Sequence, residues 1–243
     1  MTNPTAAMIV IGDEILSGRT RDSNAHHLAG RLAIQGIDLR EVRFIGDDRR
    51  TIVATVQDLS AQRDHVFTSG GIGPTHDDIT ADCVAEAMGA GIDVRDDARA
   101  ILQAYYDARE IEMNAARLRM ARIPDGAALI DNPVSAAPGF SIGNVHVMAG
   151  VPRIFEAMLD GLLRQIEGGR QVVSRSFLLD RGEGDIADVL RQLATDHSAV
   201  SIGSYPAWTG AGYQVAVVLR GAEAGDLDAV AAELRAAFPE ARE

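Results

Sequence analysis

The sequence predicts an α/β fold: a mostly parallel sheet, mixed at its edge, with helices on both faces, followed by a small α+β domain. Three observations carry that expectation. In the first ninety residues, short aliphatic runs alternate with helix-like stretches in the order β-α-β-α-β-loop-α, the pattern of parallel strands joined by crossovers. Hydrophobic residues make up 47% of the chain and aromatics only 5%, so the core must be built of Ala, Val, Ile and Leu, as in strands covered on both faces. The 243 residues are long for one compact domain and short for three, which leaves room for one main domain and a smaller one.

The elements follow in order. Residues 6–11 form an aliphatic run that stops at Gly12, a buried first strand. Ser23 is placed to cap a helix over 24–35, with Gly36 as its stop. Residues 37–45 alternate as a second strand, Gly46-Asp47-Asp48 breaks it, and 51–59 read as a helix. The third strand, 65–68, runs straight into Ser69-Gly-Gly-Ile-Gly-Pro-Thr-His-Asp-Asp78, and a helix follows over 79–88. Two more helices are expected at 97–109 and 114–121, then a hairpin over 139–150 turning near Gly143, then a helix over 152–166 ended by Gly168-Gly169. The domain boundary is placed there, giving 1–169 and 170–243. The second part reads strand 172–179, helix 185–194, strands 200–204 and 213–219, helix 226–238.

Charge and composition exclude several functions. The net charge of −12 repels nucleic acid unless a basic patch offsets it. The densest arginine sets, Arg40, Arg43, Arg49, Arg50 and Arg117, Arg119, Arg122, are mixed with acids or spaced along helices, and they read as solvated faces. There is no lysine among the 23 basic residues, which removes Schiff-base chemistry and the lysine-dependent phosphate loop. A phosphate must therefore be held by backbone N–H groups, arginine or a metal ion. One cysteine, Cys83, rules out a disulfide framework. No apolar run reaches the roughly 20 residues that span a bilayer, and the first residues lack the form of a secretory signal, so the cytoplasm is expected.

The strongest chemical signal is the segment from Thr68 to Thr80. Ser69, Gly70, Gly71, Gly73, Pro74 and Thr75 follow a strand and precede a helix. Such a loop can turn its N–H groups toward an anion, with the helix dipole behind it. Asp77 and Asp78 at the helix start serve either as caps or as carboxylates that share an oxygen-ligated cation with bound phosphate. Asp13, Glu14 and Asn24 follow the first strand, and Asp47 follows the second, so all face the crevice at the carboxyl ends of the strands. Asn132, Pro138 and Gly139 belong to a small-residue stretch that reads as a backbone-lined wall, as does 149–153. The six histidines show no metal-ligand spacing; His76 alone lies in the loop.

These motifs resemble a known family. Thr68–Thr80, Gly12-Asp-Glu-Ile-Leu-Ser-Gly18, Asp22-Ser-Asn24, Ile45-Gly-Asp-Asp48, Pro138-Gly-Phe140 and Gly150-Val-Pro152 are similar, in order, to the motifs of the MoaB/Mog molybdopterin-binding domain at the N-terminus of CinA (competence/damage-inducible) proteins. The stretch Asn132-Pro-Val-Ser-Ala-Ala137 is closer to the variant in eukaryotic FAD synthase, and residues after 170 resemble the small KH-like domain that follows in CinA proteins. The loop Gly182-Glu-Gly-Asp185 is acidic, so RNA binding is not expected. The deamidase domain of full-length CinA proteins has no counterpart here, so that activity is not expected either.

The resemblance implies a small-molecule phosphate ligand: ADP-ribose, molybdopterin or a related nucleotide. It implies hydrolysis of a diphosphate with a divalent cation (Mg, Mn or Co), with Asp47 and Asp78 at the reacting phosphates, and Asp47, Asp77 and Asp78 as metal ligands. It also implies a homo-oligomer; no membrane or nucleic-acid partner is expected, from the apolar-run lengths and the net charge given above. Two alternatives stand beside this reading: a non-catalytic binding module, and a regulatory subunit whose acidic tail domain has no chemistry.

Overall fold

The computed structural model describes residues 3–209 and 212–243, so the first two positions of the expected 1–169 domain lie outside the described residues. The chain divides into two compact units, Met1–Gly169 and Arg170–Glu243.

In the first unit, β1 (Thr5–Ile11) is followed by one short helical turn, α1 (Asp13–Leu16), then α2 (Asn24–Gln35), β2 (Asp38–Ile45), α3 (Arg49–Gln62), β3 (His65–Ser69), α4 (Thr80–Ala87) and β4 (Ile92–Val94). Then come α5 (Asp96–Asp107), α6 (Ala115–Arg119), β5 (Arg122–Pro124), β6 (Ala128–Ile130), β7 (Gly139–Ile142), β8 (Val145–Met148) and α7 (Pro152–Leu163). The main sheet has six strands in the order β2-β1-β3-β8-β7-β6. β2, β1, β3 and β8 are parallel, and the β7 and β6 edge is antiparallel.

The period of two in β1 sorts its side chains between two cores. Ala7, Ile9 and Ile11 join Ile52, Val56 and Leu59 of α3, Val84 of α4 and Leu102 of α5. Ala6, Met8 and Val10 join Leu28 and Leu32 of α2 and Phe155, Met158 and Leu159 of α7. Every one of these β1 side chains is buried, which is why the strand reads as an unbroken aliphatic run.

Strand order places the crevice. From β1 the chain moves to β2 on one side, then crosses to β3 on the other, so the sheet's switch point lies between β1 and β3. Ligands in such sheets bind outside the carboxyl ends of the strands at that point.

Three short strands, β4, β5 and β6, were not expected. Each has three residues, and β4 and β5 pair only with one another. The expected hairpin is present, with Gly143 in the left-handed region at its turn. One expectation needs correcting: the Ser23 side chain does not cap α2. The Asp22 carboxylate does so, accepting from the N–H groups of Asn24 at 3.2 Å and Ala25 at 3.0 Å.

The second unit holds β9 (Val173–Leu179), α8 (Glu183–Asp196), β10 (Ser201–Thr209), β11 (Gly212–Gly221) and α9 (Ala224–Ala237). Its antiparallel sheet has the order β10-β11-β9 and its own core of Phe177, Val217, Leu219, Leu227 and Leu234. Among the described residues no helix is long and apolar enough to cross a membrane.

Candidate functional site

A cleft of about 540 Å³ opens where the sheet topology puts it, a volume in the usual range for a small-molecule site. Each parallel strand contributes to it through the loop that follows. Gly12 and Glu14 come after β1, Asp47 after β2, Gly70–Pro74, Asp77 and Asp78 after β3, and Ala149–Pro152 after β8. Asn132, Ser135 and Ala137 from the β6–β7 connection close another side, and Met120 lies across from the glycine loop.

The glycine loop is shaped by close approach. Gly70 has φ +107°, and a Cβ there would sit 2.2 Å from the Ile11 carbonyl oxygen. Gly71 has φ +68°, and a Cβ there would meet the Thr80 hydroxyl at 2.1 Å. Neither position tolerates a side chain without moving backbone or a buried residue. The loop is closed by Thr80 N–H donating to Gly71 O at 3.0 Å and by Gly70 N–H donating to Met148 O at 3.2 Å. Among the described residues, the N–H groups of Gly71, Ile72 and Gly73 have no protein acceptor, and all three residues line the cleft. Unpaired backbone donors on a concave wall are what an anion needs.

The carboxylates divide into two groups. Glu14, Asp47, Asp77 and Asp78 line the cleft. The Asp47 carboxyl is pushed up from its ordinary value, first by burial and then by the like charges of Asp13, Glu14 and Asp77; the Asp13 N–H, donating to Asp47 Oδ2 at 3.0 Å, opposes the rise. Asp78 is turned back on its own loop: one carboxylate oxygen accepts from Thr75 N–H at 2.8 Å and from the Thr75 hydroxyl. The same hydroxyl lies against Asp77 and helps to hold that carboxyl below the usual carboxylate range.

Several sequence-predicted residues are placed differently from expectation. Asp77 and Asp78 do not cap a helix, because α4 begins at Thr80 with Ile79 in the cap position and no side-chain cap. The Asp13 carboxylate lies over Gly46 rather than in the cleft, and it is the backbone of Asp13 that serves the site. Asn24 and Ser69 are buried beneath the cleft: the Asn24 amide donates to Ser69 Oγ at 2.6 Å and to Gly150 O at 2.8 Å, tying the end of β3 to the loop after β8. Thr75 works through Asp78. Asn132 lines the cleft, but its side chain is spent on its own loop, accepting from Val134 and Ser135 N–H and donating to Ser135 Oγ and Ala137 O. Gly139 is buried inside β7, where a Cβ would meet Val147 O at 2.2 Å. Pro138 lines a small annex beside the glycine loop instead of the main cleft. His76 is 98% exposed, with Asp77 3.8 Å away.

The expected metal ligands are not assembled into a closed cage. Among the described residues no group of three or more His, Cys, Asp or Glu side chains is close enough to hold a metal ion. Thr20, Met120 and Ile154 line the cleft without having been singled out, while Val151 belongs to the expected wall. Thr20 and Ile154 stand in or beside segments whose loop character is visible in sequence, whereas nothing in the sequence marks Met120.

Comparison with known proteins fits this geometry. Residues 7–168 match the family described as "Probable molybdopterin binding domain", and residues 171–242 match "FAD synthase, middle domain". A protein of Thermococcus kodakarensis is 34% identical over 236 residues, spanning 92% of this chain and 93% of that one. A probable FAD synthase of Caenorhabditis elegans is 33% identical over 255 residues, spanning 95% of this chain and 49% of that one. The crystal structure of the protein CinA, of unknown function, from Thermoplasma acidophilum aligns with a TM-score of 0.61 at 33% identity, over 66% of this chain and 98% of that one.

Proposed function

The chain belongs to the probable molybdopterin binding domain family, and on that premise we propose that its cleft binds a nucleotide or pterin carrying phosphate and hydrolyses a diphosphate bond, with ADP-ribose as the leading substrate. One observation carries this reading: Gly71, Ile72 and Gly73, whose N–H groups have no protein acceptor among the described residues, line the same cleft as Glu14, Asp47 and Asp77. The amides hold phosphate oxygens without adding formal charge. The apolar wall of Ile72, Met120, Val151 and Ile154 accepts a flat ring.

A divalent cation fits the donor chemistry. The charged groups that line the cleft are carboxylates, and the like charges that add to the effect of burial on Asp47 are relieved by a positive charge. Asp47 and Asp77 would hold it, with phosphate oxygens and water completing the shell, which suits a magnesium-like ion that keeps several waters. Bound there, the cation supplies polarisation of a phosphoryl oxygen and a more acidic water. Asp47 Oδ2 accepts from the Asp13 amide, which leaves Oδ1 to hold the cation, and the attacking water would lose its proton to bulk water. The water oxygen bonds to phosphorus as the bridging P–O bond breaks, giving AMP and ribose 5-phosphate.

The test is direct. Purified protein is incubated with ADP-ribose, and with FAD as a second dinucleotide diphosphate, in Mg²⁺, Mn²⁺ or Co²⁺, and AMP is followed by chromatography. Turnover is expected, with a loss of about 100-fold or more in Asp47→Asn. Absence of AMP with every cation removes the hydrolase reading. A second reading, a binding protein without turnover, is favoured by the lack of a preassembled three-ligand group; tight calorimetric binding of the same compounds without product supports it.

A further inference from the structure

Phosphate in this cleft meets an electrostatic difficulty. Glu14, Asp47, Asp77 and Asp78 all line it, the chain has no lysine, and the amides of the glycine loop are dipoles without formal charge. A doubly charged diphosphate beside these carboxylates is stabilised by positive charge on the protein, even where a cation neutralises part of it.

The structure offers one at the loop itself. Beside the cleft lies an annex of about 20 Å³, room for roughly one water-sized group, which shares Ile72, Gly73, Asp78 and Met120 with the cleft. Two arginines line this annex, and their states differ. Arg122 is neutralised by Asp82 at 2.5 Å, with Asp93 at 4.0 Å. Arg119, the last residue of α6, is exposed and has no carboxylate partner among the described residues. One of its N–H groups, on Nη2, donates to the Asp78 carbonyl at 3.2 Å. That bond anchors the guanidinium to the glycine loop and leaves its other donors unused, in the fork geometry that matches phosphate oxygens. In sequence Arg119 reads as one more charge on a solvated helix face, because nothing local reveals that α6 ends against Asp78.

We infer that Arg119 is a phosphate-binding residue of this cleft, reaching past Gly73 to supply the charge that the loop amides lack, so that the site selects diphosphate-bearing ligands over their uncharged nucleosides. This inference rests on the phosphate-binding reading above.

The experiment measures binding of ADP-ribose and of adenosine by titration calorimetry, with and without Mg²⁺, for the wild type, Arg119→Gln and Arg119→Lys. Losing a charge-assisted contact predicts ADP-ribose affinity about tenfold or more weaker in Arg119→Gln, with part of the loss restored in Arg119→Lys. Adenosine affinity stays unchanged, and the salt dependence of ADP-ribose binding becomes shallower in the glutamine variant. Equal ADP-ribose binding by wild type and Arg119→Gln overturns the inference and leaves the phosphate-binding reading intact. Parallel loss of adenosine and ADP-ribose binding also overturns it, since the arginine then acts only by supporting the Asp78 carbonyl. If Arg119→Gln does not fold, Arg119→Met decides, since it keeps the length of the stem and removes the charge: wild-type ADP-ribose affinity in that variant overturns the inference. Failure of wild-type protein to bind ADP-ribose under any condition removes the phosphate-binding reading and the inference together.

Discussion

At the scale of single residues, the most consequential group outside the cleft is a buried imidazole. His146 of β8 is 6% exposed, its Nδ1 is 2.8 Å from Ser141 Oγ, and its Nε2 is 3.2 Å from His65 Nδ1. Phe67 packs against the ring. A charge there would be stripped of water, so burial, followed by the neighbouring His65, pushes His146 down to about 3. His65 is also lowered by burial, partly opposed by Asp64. Because both histidines take up protons more readily when unfolded, their stabilising effect is complete above about pH 6.5 and is lost as pH falls. Each histidine held neutral costs about 1.4 kcal/mol per pH unit below that point. Urea midpoints are therefore expected to fall between pH 6.5 and 5, and less steeply in His146→Gln, which keeps a donor and an acceptor. A wild-type midpoint that stays level across that range would sink this account.

At the scale of elements, the start of α2 separates two sequence candidates that look equivalent. Ser23 occupies the cap position, yet the Asp22 carboxylate makes both bonds, to Asn24 and Ala25 N–H. Loss of a cap costs about 1 kcal/mol, so Asp22→Ala is expected to destabilise the first unit by that amount while Ser23→Ala changes little. Chemical denaturation of the two variants checks this, and the reverse order would assign the cap to Ser23 after all. The same contrast explains what was legible. β1, β2 and β3 are visible because their aliphatic or alternating runs are long enough to show a period, and α2 is visible from its apolar spacing and Gly36. The three-residue strands β4, β5 and β6 are shorter than any period and exist only through their pairing. Within the site, the glycine loop and Asp47 could be read from their places after strands. The inward turn of Asp78 onto Thr75, the self-closed Asn132 loop and the approach of α6 to Asp78 depend on contacts between elements, which no local pattern encodes.

At the scale of the whole molecule, the sheet order decides where chemistry can occur. The cleft lies at the carboxyl ends of β1, β2, β3 and β8, so everything assigned to phosphate binding belongs to the first unit, while the second unit has a separate core around Phe177, Val217 and Leu227. Two independent cores of unequal size predict two heat-absorption transitions in the intact chain. A ligand that binds only the folded first unit stabilises it by mass action, about 2.7 kcal/mol at a hundredfold excess over Kd, which moves its transition up by roughly 5–10 °C. The other transition stays in place, because the residues that line the cleft belong to the first unit. Scanning calorimetry with and without ADP-ribose reads both at once. A single transition that shifts as a whole would mean that the two cores unfold together, and a ligand-induced shift confined to the smaller transition would place the binding site outside the cleft.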